Sequence, residues 1–279
     1  MKTRIIIDST ANLAAHLRAQ TTVLPLKVRF GEEEYIDGVT ITNEEFYKKL
    51  KTVDQLPTTS QGSPEEFRKL FQQVKDAGDE AVVITIASKL SGTCQSANIA
   101  AKEFDNIYVV DSGNVAVGSG VLTEYALRLI DEGKSAKEIK EILDEEKKNV
   151  HIIAMVDTLK YLKMGGRISG VVSFVGELLN IKPIVEVYDG VIHQISKARG
   201  IKMANRVLIS EVEKVGQVNY DRPVLFGHSG CTDSGIKQFL ENTKDFWKGG
   251  KVPTNSVLMG SIIGTHAGPG IIAIAFFAR

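Results

Sequence analysis

The sequence has few of the residues that mark disulfide, metal or membrane proteins. Its two cysteines, Cys94 and Cys231, lie far apart, without a CxxC motif or a histidine at metal-ligand spacing. It therefore predicts neither a disulfide framework nor a zinc site. The apolar run behind the basic N-terminus covers only residues 5–7, and the late run at 271–278 is too short to cross a bilayer. We expect a cytoplasmic protein in a reducing environment, without stable membrane insertion.

The chain also lacks an excess of charge of either sign. Lys and Arg together number 34, as do Asp and Glu, so the formal net charge at pH 7 is +0. Without an overall field we expect no nucleic-acid partner, and any recognition of an anion must be local. The 279 residues, of which 43% are hydrophobic, suffice for one large or two modest globular domains.

One hydroxyl-rich stretch, residues 57–64 (Pro-Thr-Thr-Ser-Gln-Gly-Ser-Pro), stands between two prolines and opens into a helix. Ser63, a following proline and Glu66 are typical of a capped helix start. Thr59 and Ser60 lie just before that start, where the free amide groups of a helix N-terminus attract anions. A polar turn with a good cap explains either half alone. The run indicates an anion site only together with a second stretch of the same kind, residues 88–93 (Ser-Lys-Leu-Ser-Gly-Thr), which also precedes a helix.

Apolar strand patterns alternate with helical patterns through the first half of the chain. Strands are predicted at 4–8, 80–87 and 106–110, and each ends in polar residues before a helix. This alternation predicts a mainly parallel, doubly wound sheet whose polar strand ends gather along one edge. Asn12 is predicted to cap the first of these helices, which extends through Leu17.

The second half predicts a mixed sheet. After a strand at 150–156 comes a charge-poor helix at 170–179, and the hairpin at 182–196 turns at Asp189-Gly190, a type I′ signal. Further strands are predicted at 224–228, 252–258 and 271–277, with helices at 201–215 and 232–247. The fold class is therefore α/β, with two α/β domains at 1–156 and 157–279.

Enzyme signatures fail at single positions. Residues 227–231 (Gly-His-Ser-Gly-Cys) end in cysteine where a nucleophile elbow needs glycine. Asp8 ends a strand, but Thr10 and Asn12 stand where a second carboxylate would complete a magnesium pair for phosphoryl transfer. Asp8 is instead predicted to accept backbone hydrogen bonds from its own loop.

His266 differs from the other histidines because it lies in a glycine-rich stretch, residues 264–270 (Gly-Thr-His-Ala-Gly-Pro-Gly). Such a loop between two apolar strands allows a ligand to approach the imidazole closely. A surface histidine in a glycine-rich turn explains the same pattern, and this stretch alone does not separate the two interpretations.

Taken in order, these segments resemble the DegV family over almost the whole chain. The matching residues are Asp8-Ser9-Thr10, 57–61, 90–93 with Gln95-Ser96, Asp111-Ser112, 159–162, 165–168, Lys197-Ala198-Arg199 and 264–270. The resemblance implies a long-chain fatty acid bound between the two α/β domains. For some members it also implies that the acyl carboxylate is presented to a separate ATP-dependent fatty-acid kinase, which makes acyl phosphate.

The resemblance also implies which residues hold the fatty-acid carboxylate: Thr59, Ser60, Ser91, Gly92, Thr93 and His266. Hydrogen bonds to a charged acceptor contribute roughly 1.5–3 kcal/mol each. Burial of about 14 methylenes contributes roughly 11 kcal/mol before ordering costs, so the tail dominates. The helix at 170–179 and the strands near Leu258 and Ile271 are the predicted tunnel wall, with ordinary core as the alternative.

Two arginines resemble the family's surface arginines. Arg199 is predicted to dock the partner kinase, whereas Arg167 either docks it or forms a structural salt bridge. The family pattern often continues with threonine and basic residues after this point, but Gly-Ile-Lys-Met follows Arg199 here. This departure concerns the kinase interaction rather than lipid binding.

The sequence thus predicts a lipid-binding protein that catalyses nothing alone and has a fatty acid as ligand but no cofactor or metal. Two alternatives stay open. One is an enzyme acting on a small phosphorylated or acyl substrate at a strand-end cluster of Asp8, Ser91, Asp111 and His266. The other is a protein-interaction module whose domains pack together without a cavity.

Overall fold

The computed structural model describes residues 1–169, 180–247 and 256–279. In these ranges the strands are β1 (Thr3–Asp8), β2 (Thr22–Leu24), β3 (Lys27–Phe30), β4 (Glu33–Ile36), β5 (Thr58–Ser60), β6 (Glu80–Thr85), β7 (Ile107–Asp111), β8 (Val150–Met155), β9 (Ile181–Tyr188), β10 (Val191–Arg199), β11 (Val224–His228), β12 (Ser256–Leu258) and β13 (Ile272–Phe277). The helices are α1 (Ala15–Arg18), α2 (Asn43–Leu50), α3 (Pro64–Asp76), α4 (Thr93–Ala101), α5 (Val117–Asp131), α6 (Ala136–Glu146), α7 (Lys160–Met164), α8 (Ile201–Val215), α9 (Ser234–Asn242) and α10 (Ser261–Ala267), with a 3₁₀ turn at Lys147–Asn149.

The strands described pair into a parallel sheet, a mixed sheet and a small antiparallel sheet. The parallel sheet has the order β2-β1-β6-β7, and the mixed sheet has the order β10-β9-β8-β13-β11-β12. Of the described strands in the mixed sheet, only β11 and β12 pair in parallel. The third sheet, β4-β3-β5, is antiparallel. The predicted α/β class, with a parallel N-terminal sheet and a mixed C-terminal sheet, is confirmed.

Helix α5 lies between the two large sheets and contacts strands of both. Its sequence is apolar or small on nearly every side, and residues such as Val121 and Leu122 are fully buried. A helix that is apolar all round belongs in the interior. One hydrophobic core therefore continues from the parallel sheet through α5 into the mixed sheet.

Strand β8 ends just before the predicted domain boundary at 156/157 but lies inside the mixed sheet. It pairs antiparallel with β9 on one side and with β13 on the other. The chain has therefore entered the second sheet by Val150, and the exact boundary stays a prediction.

The hairpin prediction is confirmed. Strands β9 and β10 pair antiparallel, and Asp189 and Gly190 have φ values of 51° and 71° between them. Positive φ at both central residues is what a type I′ turn requires. Helix α8 and strand β11 also have the predicted bounds, whereas α9 is shorter than the predicted 232–247.

Two predictions near the N-terminus are wrong in detail. Asn12 does not cap the first helix, because α1 begins at Ala15 and its N-terminal side chains make no cap. Asn12 is buried instead, and its backbone N–H donates to the carbonyl of Ala116. The hydroxyl-rich loop is partly a strand, β5, because its backbone pairs with β3.

The stretch around His266 is a helix rather than a glycine-rich loop. Helix α10 covers Ser261–Ala267 and packs against α2 and α7. Glycine disfavours helices, but tertiary packing overrides that local preference here. The imidazole is therefore held on a buried helix instead of in a surface turn.

Two predicted elements fall wholly or partly outside the described residues. The helix at 170–179 is one, and for the strand at 252–258 only Ser256–Leu258 is described. Among the helices that are described, none has both the length and the apolar character to span a membrane.

Candidate functional site

A cavity beside helix α10 collects most of the predicted site residues. It is lined by Thr10, Leu26, Thr59, Ser60, Gln61, Ile86, Leu90, Ser91, Gly92, Val115, Leu162, Arg167, Ile192, Ile262, Ile263, His266 and Ala267. Its volume is about 170 Å³. A water molecule takes up roughly 30 Å³ of the liquid, so the cavity has room for a polar group and several carbons.

The polar residues of this cavity come from elements far apart in sequence. Thr59 lies on β5 of the small sheet, Ser91 and Gly92 lie at the start of α4, and His266 lies near the end of α10. The sequence suggested that these polar segments converge. The tertiary structure brings them together at one cavity. The remaining lining is mainly aliphatic.

His266 is in direct contact with Thr59, another polar residue of the cavity. Its Nε2 lies 2.7 Å from Oγ1 of Thr59, a hydrogen bond across 207 positions of sequence. Burial, and to a smaller extent the nearby positive charge of Arg167, lower the pKa of His266 to about 4. The imidazole is therefore neutral at pH 7 and can either donate or accept a hydrogen bond.

Ser91 and Thr93 have different places in the turn before α4. The Ser91 hydroxyl lies 3.0 Å from that of Thr93 and accepts from the Thr93 amide at 3.3 Å. Thr93 is fully buried and does not line the cavity, whereas Ser91 does. The structure thus places Thr93 behind Ser91, where it orients that hydroxyl.

Arg167 lines the cavity, and in the described ranges its guanidinium donates only to carbonyl oxygens. Nε donates to Leu90 O at 3.3 Å, and Nη1 donates to Gly165 O. Across the described part of the chain no carboxylate pairs with it, so the structural salt bridge that the sequence allowed is absent. Carbonyl groups do not neutralise a cation, and the charge of Arg167 remains available to an anion in the cavity.

Arg199 lies elsewhere. It is exposed at the end of β10, opposite Ile181 of β9, and it does not line the cavity. Its predicted role in docking a partner stays a prediction.

Asp8 is buried beneath the cavity, and both of its carboxylate oxygens are occupied. Oδ1 accepts from the amide and the hydroxyl of Thr10 at 2.9 and 2.5 Å, and Oδ2 accepts from the amide of Ile86 at 2.7 Å. Burial raises its pKa, while these hydrogen bonds act in the opposite direction. The predicted backbone bonds are confirmed, and they extend to the residue that follows β6.

The strand-end cluster proposed for an enzyme does not come together. Ser91 and His266 line the cavity, Asp8 supports it from below, and Asp111 lines a separate surface cleft with Lys147 and Tyr188. Asp111 uses Oδ1 to accept from the amides of Ser88 and Gly113. In the described ranges, no three His, Cys, Asp or Glu side chains are grouped to hold a metal ion.

Sequence reasoning missed Thr10 and gave Gln61 no specific role. Thr10 is held by Asp8 at the edge of the cavity, and the Gln61 amide donates to Ser96 Oγ at 3.2 Å. Gln61 lies directly over Gly92, whose missing side chain leaves room for it. Both residues fall inside the polar motifs, but only the fold shows which members of a motif face the cavity.

A cavity with hydroxyls, one imidazole and a guanidinium that no carboxylate of the described residues pairs with, above aliphatic walls, defines a class of α/β protein with an amphipathic binding cavity. The family model described as "Uncharacterised protein, DegV family" matches residues 2–279. The chain belongs to the DegV family.

Relatives in sequence and structure agree with this assignment. A DegV domain-containing protein of Caldanaerobacter subterraneus is 36% identical over 281 residues, covering 99% of this chain and 98% of the relative. The fatty-acid-binding DegV family protein of Thermus thermophilus superposes with a TM-score of 0.88 at 29% identity, covering 100% of both chains. A stearic acid-binding protein of Eubacterium ventriosum has a TM-score of 0.83 at 27% identity, covering 100% of this chain and 98% of that protein.

The low pKa of His266 leads to a testable pH dependence. In the unfolded chain the imidazole has its ordinary pKa of about 6.5. The unfolded state therefore binds a proton more readily than the folded state between about pH 6.5 and about 4. We expect no effect of His266 on folding stability above this window and a progressive loss of stability as the pH falls through it. Urea unfolding at pH 7 and pH 5 measures this loss.

The control is His266→Asn, which cannot titrate and should lose less stability between these two pH values. Imidazole NMR of the ligand-free protein gives the pKa directly. In Arg167→Gln the removal of the cation should raise the pKa of His266. A pKa near 6.5 in the native protein would contradict the burial of a neutral imidazole.

Proposed function

We propose that this protein binds a long-chain fatty acid, with the carboxylate in the polar part of the cavity and the hydrocarbon along its aliphatic wall. The observation that carries the proposal is the convergence of Thr59, Ser91 and His266 on one cavity whose other walls are mainly aliphatic. The Thermus and Eubacterium structures are described as fatty-acid-binding proteins, and they share this fold.

The head of the ligand is held by replacing its lost hydration. A carboxylate that leaves water needs hydrogen-bond donors or a positive charge, because an unpaired buried charge is costly. The hydroxyls of Thr59, Ser60 and Ser91 and the imidazole of His266 are donors. The guanidinium of Arg167 is a cation with no carboxylate partner among the residues that the structure describes. Hydrogen bonds to charged acceptors contribute roughly 1.5–3 kcal/mol each, so a few suffice.

The tail provides most of the affinity. Leu90, Ile192, Ile262 and Ile263 are buried side chains that also line the cavity. Each methylene transferred from water to such a surface contributes about 0.8 kcal/mol. We propose that the hydrocarbon continues from this wall between the two domains, with residues 170–179 and the strands near Leu258 and Ile271 as its further boundary.

We further propose that the protein is a cytoplasmic carrier that presents the acyl carboxylate to a separate ATP-dependent fatty-acid kinase. In this proposal the kinase catalyses acyl phosphate formation and the carrier catalyses nothing alone. Arg199 supports the docking role because it is exposed and lies outside the cavity. Arg167 lies in the cavity wall, and there its charge acts on the ligand head.

The test is to identify the bound lipid and then to remove one of its donors. Native mass spectrometry and solvent extraction of the purified protein should reveal a long-chain fatty acid. In delipidated protein, Thr59→Val should weaken stearate binding at least about tenfold. A hydrogen bond to a charged acceptor contributes roughly 1.5–3 kcal/mol, and a tenfold change in affinity corresponds to about 1.4 kcal/mol. Equilibrium binding of radiolabelled stearate measures the change.

Thr58→Val is the matched control. Thr58 is the exposed neighbour of Thr59 on the same strand and does not line the cavity, so the same substitution there should leave stearate affinity unchanged. A co-purifying polar metabolite in place of a lipid would favour an enzyme. Equal affinities of the two variants would remove Thr59 from the carboxylate site.

A further inference from the structure

The start of helix α10 is held by a residue that does not itself line the cavity. Asp37 is buried, and its Oδ1 accepts from the amide of Ser261 at 3.1 Å and from the Ser261 hydroxyl at 2.6 Å. Gly260 stands at the N-cap position and has no side chain to bond the helix amides. The carboxylate of Asp37 supplies that function from another part of the chain, with a charge that suits a helix N-terminus.

Two more side chains from the same region fasten the residues before α10. The Tyr47 hydroxyl donates to Met259 O at 3.1 Å, and the Asn43 amide lies 3.5 Å from Leu258 O. Tyr47 is fully buried, and its burial raises the pKa of the phenol, so the hydroxyl keeps its proton as a donor. Leu258 and Met259, which precede α10, are thus hydrogen-bonded to side chains of the segment 37–47.

Asp37, which binds the start of α10, adjoins the same small sheet as Thr59, which contacts His266 near the end of that helix. Asp37 directly follows β4, and Thr59 lies on β5, which flanks the same central strand β3. His266 comes five residues after Ser261, so along the helix the two are separated by about 7.5 Å. A helix this short moves as one piece, and a shift at its start changes the position of the imidazole relative to Thr59.

We propose that Asp37 is a positioning residue for the carboxylate site: by fixing Ser261 it holds α10 so that Nε2 of His266 stays opposite the Thr59 hydroxyl. The part of this inference that concerns the ligand rests on the proposed function. Asp37 does not line the cavity, so it acts through the helix and not by contact with the ligand.

The experiment compares Asp37→Ala with Asp37→Asn and with a matched control, Glu80→Ala. Glu80 is also a buried carboxylate, and its Oε1 accepts from the amide of Ala136 and the hydroxyl of Thr3, both at 2.7 Å. In Glu80→Ala, as in Asp37→Ala, one backbone amide at a helix start and one hydroxyl lose their acceptor. The helix affected in Glu80→Ala is α6. A general loss of stability affects both alanine variants, whereas a loss of positioning affects only Asp37→Ala.

The readouts are stearate affinity and the imidazole NMR spectrum of His266 in the ligand-free protein. We expect Asp37→Ala to weaken stearate binding about tenfold and to move the His266 titration upward toward its ordinary pKa, as the ring leaves its buried position. Asp37→Asn keeps an acceptor oxygen and should restore most of both properties. Glu80→Ala should change neither.

Because the NMR readout needs no ligand, the two proposals can fail separately. Absence of stearate binding by the native protein would overturn the proposed function, while the His266 titration would still test the role of Asp37. An unchanged His266 titration in Asp37→Ala, or the same change in Glu80→Ala, would overturn the positioning role. If Asp37→Ala does not fold, Ser261→Ala, which removes only the hydroxyl bond, should still shift the titration in the same direction.

Discussion

Replacing Gly165 with alanine is expected to weaken fatty-acid binding roughly ten- to hundredfold. Gly165 ends α7 with φ −74° and ψ −11°, values that alanine adopts readily, so the backbone itself is not strained. The added Cβ would lie only 2.5 Å from Nδ1 of His266 and 3.2 Å from the carbonyl oxygen of Tyr161. The imidazole must move, and its hydrogen bond to Thr59 is then lost. Equilibrium binding of radiolabelled stearate measures the effect.

The control for this prediction is a double substitution. In His266→Ala the ring is gone, so the alanine side chain at position 165 has space. Gly165→Ala/His266→Ala should therefore bind stearate about as well as His266→Ala alone, a strongly non-additive result for residues in contact. Additive losses would show that Gly165 acts independently of the imidazole.

Replacing Gly264 with alanine is expected to destabilise the fold by about 3 kcal/mol, the upper part of the usual range for overpacking a core. The Cβ at this position would lie 2.5 Å from Cε1 of Phe46 and 2.8 Å from the hydroxyl of Tyr47. Both rings are fully buried, so neither can turn away without disturbing the core. Helix α10 would be pushed from α2. Urea unfolding at pH 7 measures the loss.

Gly235→Ala provides the matched control within another helix, α9. The nearest heavy atom to its added Cβ is the terminal Cδ1 of Ile272 at 3.2 Å, a flexible end that can shift slightly. Alanine is favoured over glycine in a helix by about 1 kcal/mol, so this variant should be close to neutral or stabilised. An equal loss of stability in Gly235→Ala and Gly264→Ala would show that overpacking the contact between α10 and α2 does not cause the loss.

The elements that the sequence predicted well are those whose local signals agree with their packing. Residues 224–228 form β11 as predicted, Asp189-Gly190 turns a hairpin, and the capping box at Ser63 starts α3. In each case the nearby residues alone supply the preference, through a backbone conformation or a side-chain hydrogen bond.

The site residues were predicted as members of sequence motifs. In the structure, members of these motifs differ in whether they face the cavity. Ser91 faces the cavity while Thr93, two residues later, supports it from behind, and Asp111 lines a different cleft. A linear motif states which residues occur together but not which face of the fold each side chain occupies. Arg167 shows the same limit, since whether a carboxylate from the described part of the chain reaches its guanidinium depends on the tertiary fold.

By itself the amino-acid sequence determined the α/β class, the family and the residue types able to hold an acidic group, because periodicity, turn chemistry and motif order are local properties of the chain. Only the tertiary structure decided that residues 264–267 are helical, that Asp37 caps this helix, and that His266 meets Thr59. These contacts join positions more than 200 residues apart, and their free energy comes from burial and hydrogen bonds that exist only after the sheets have packed.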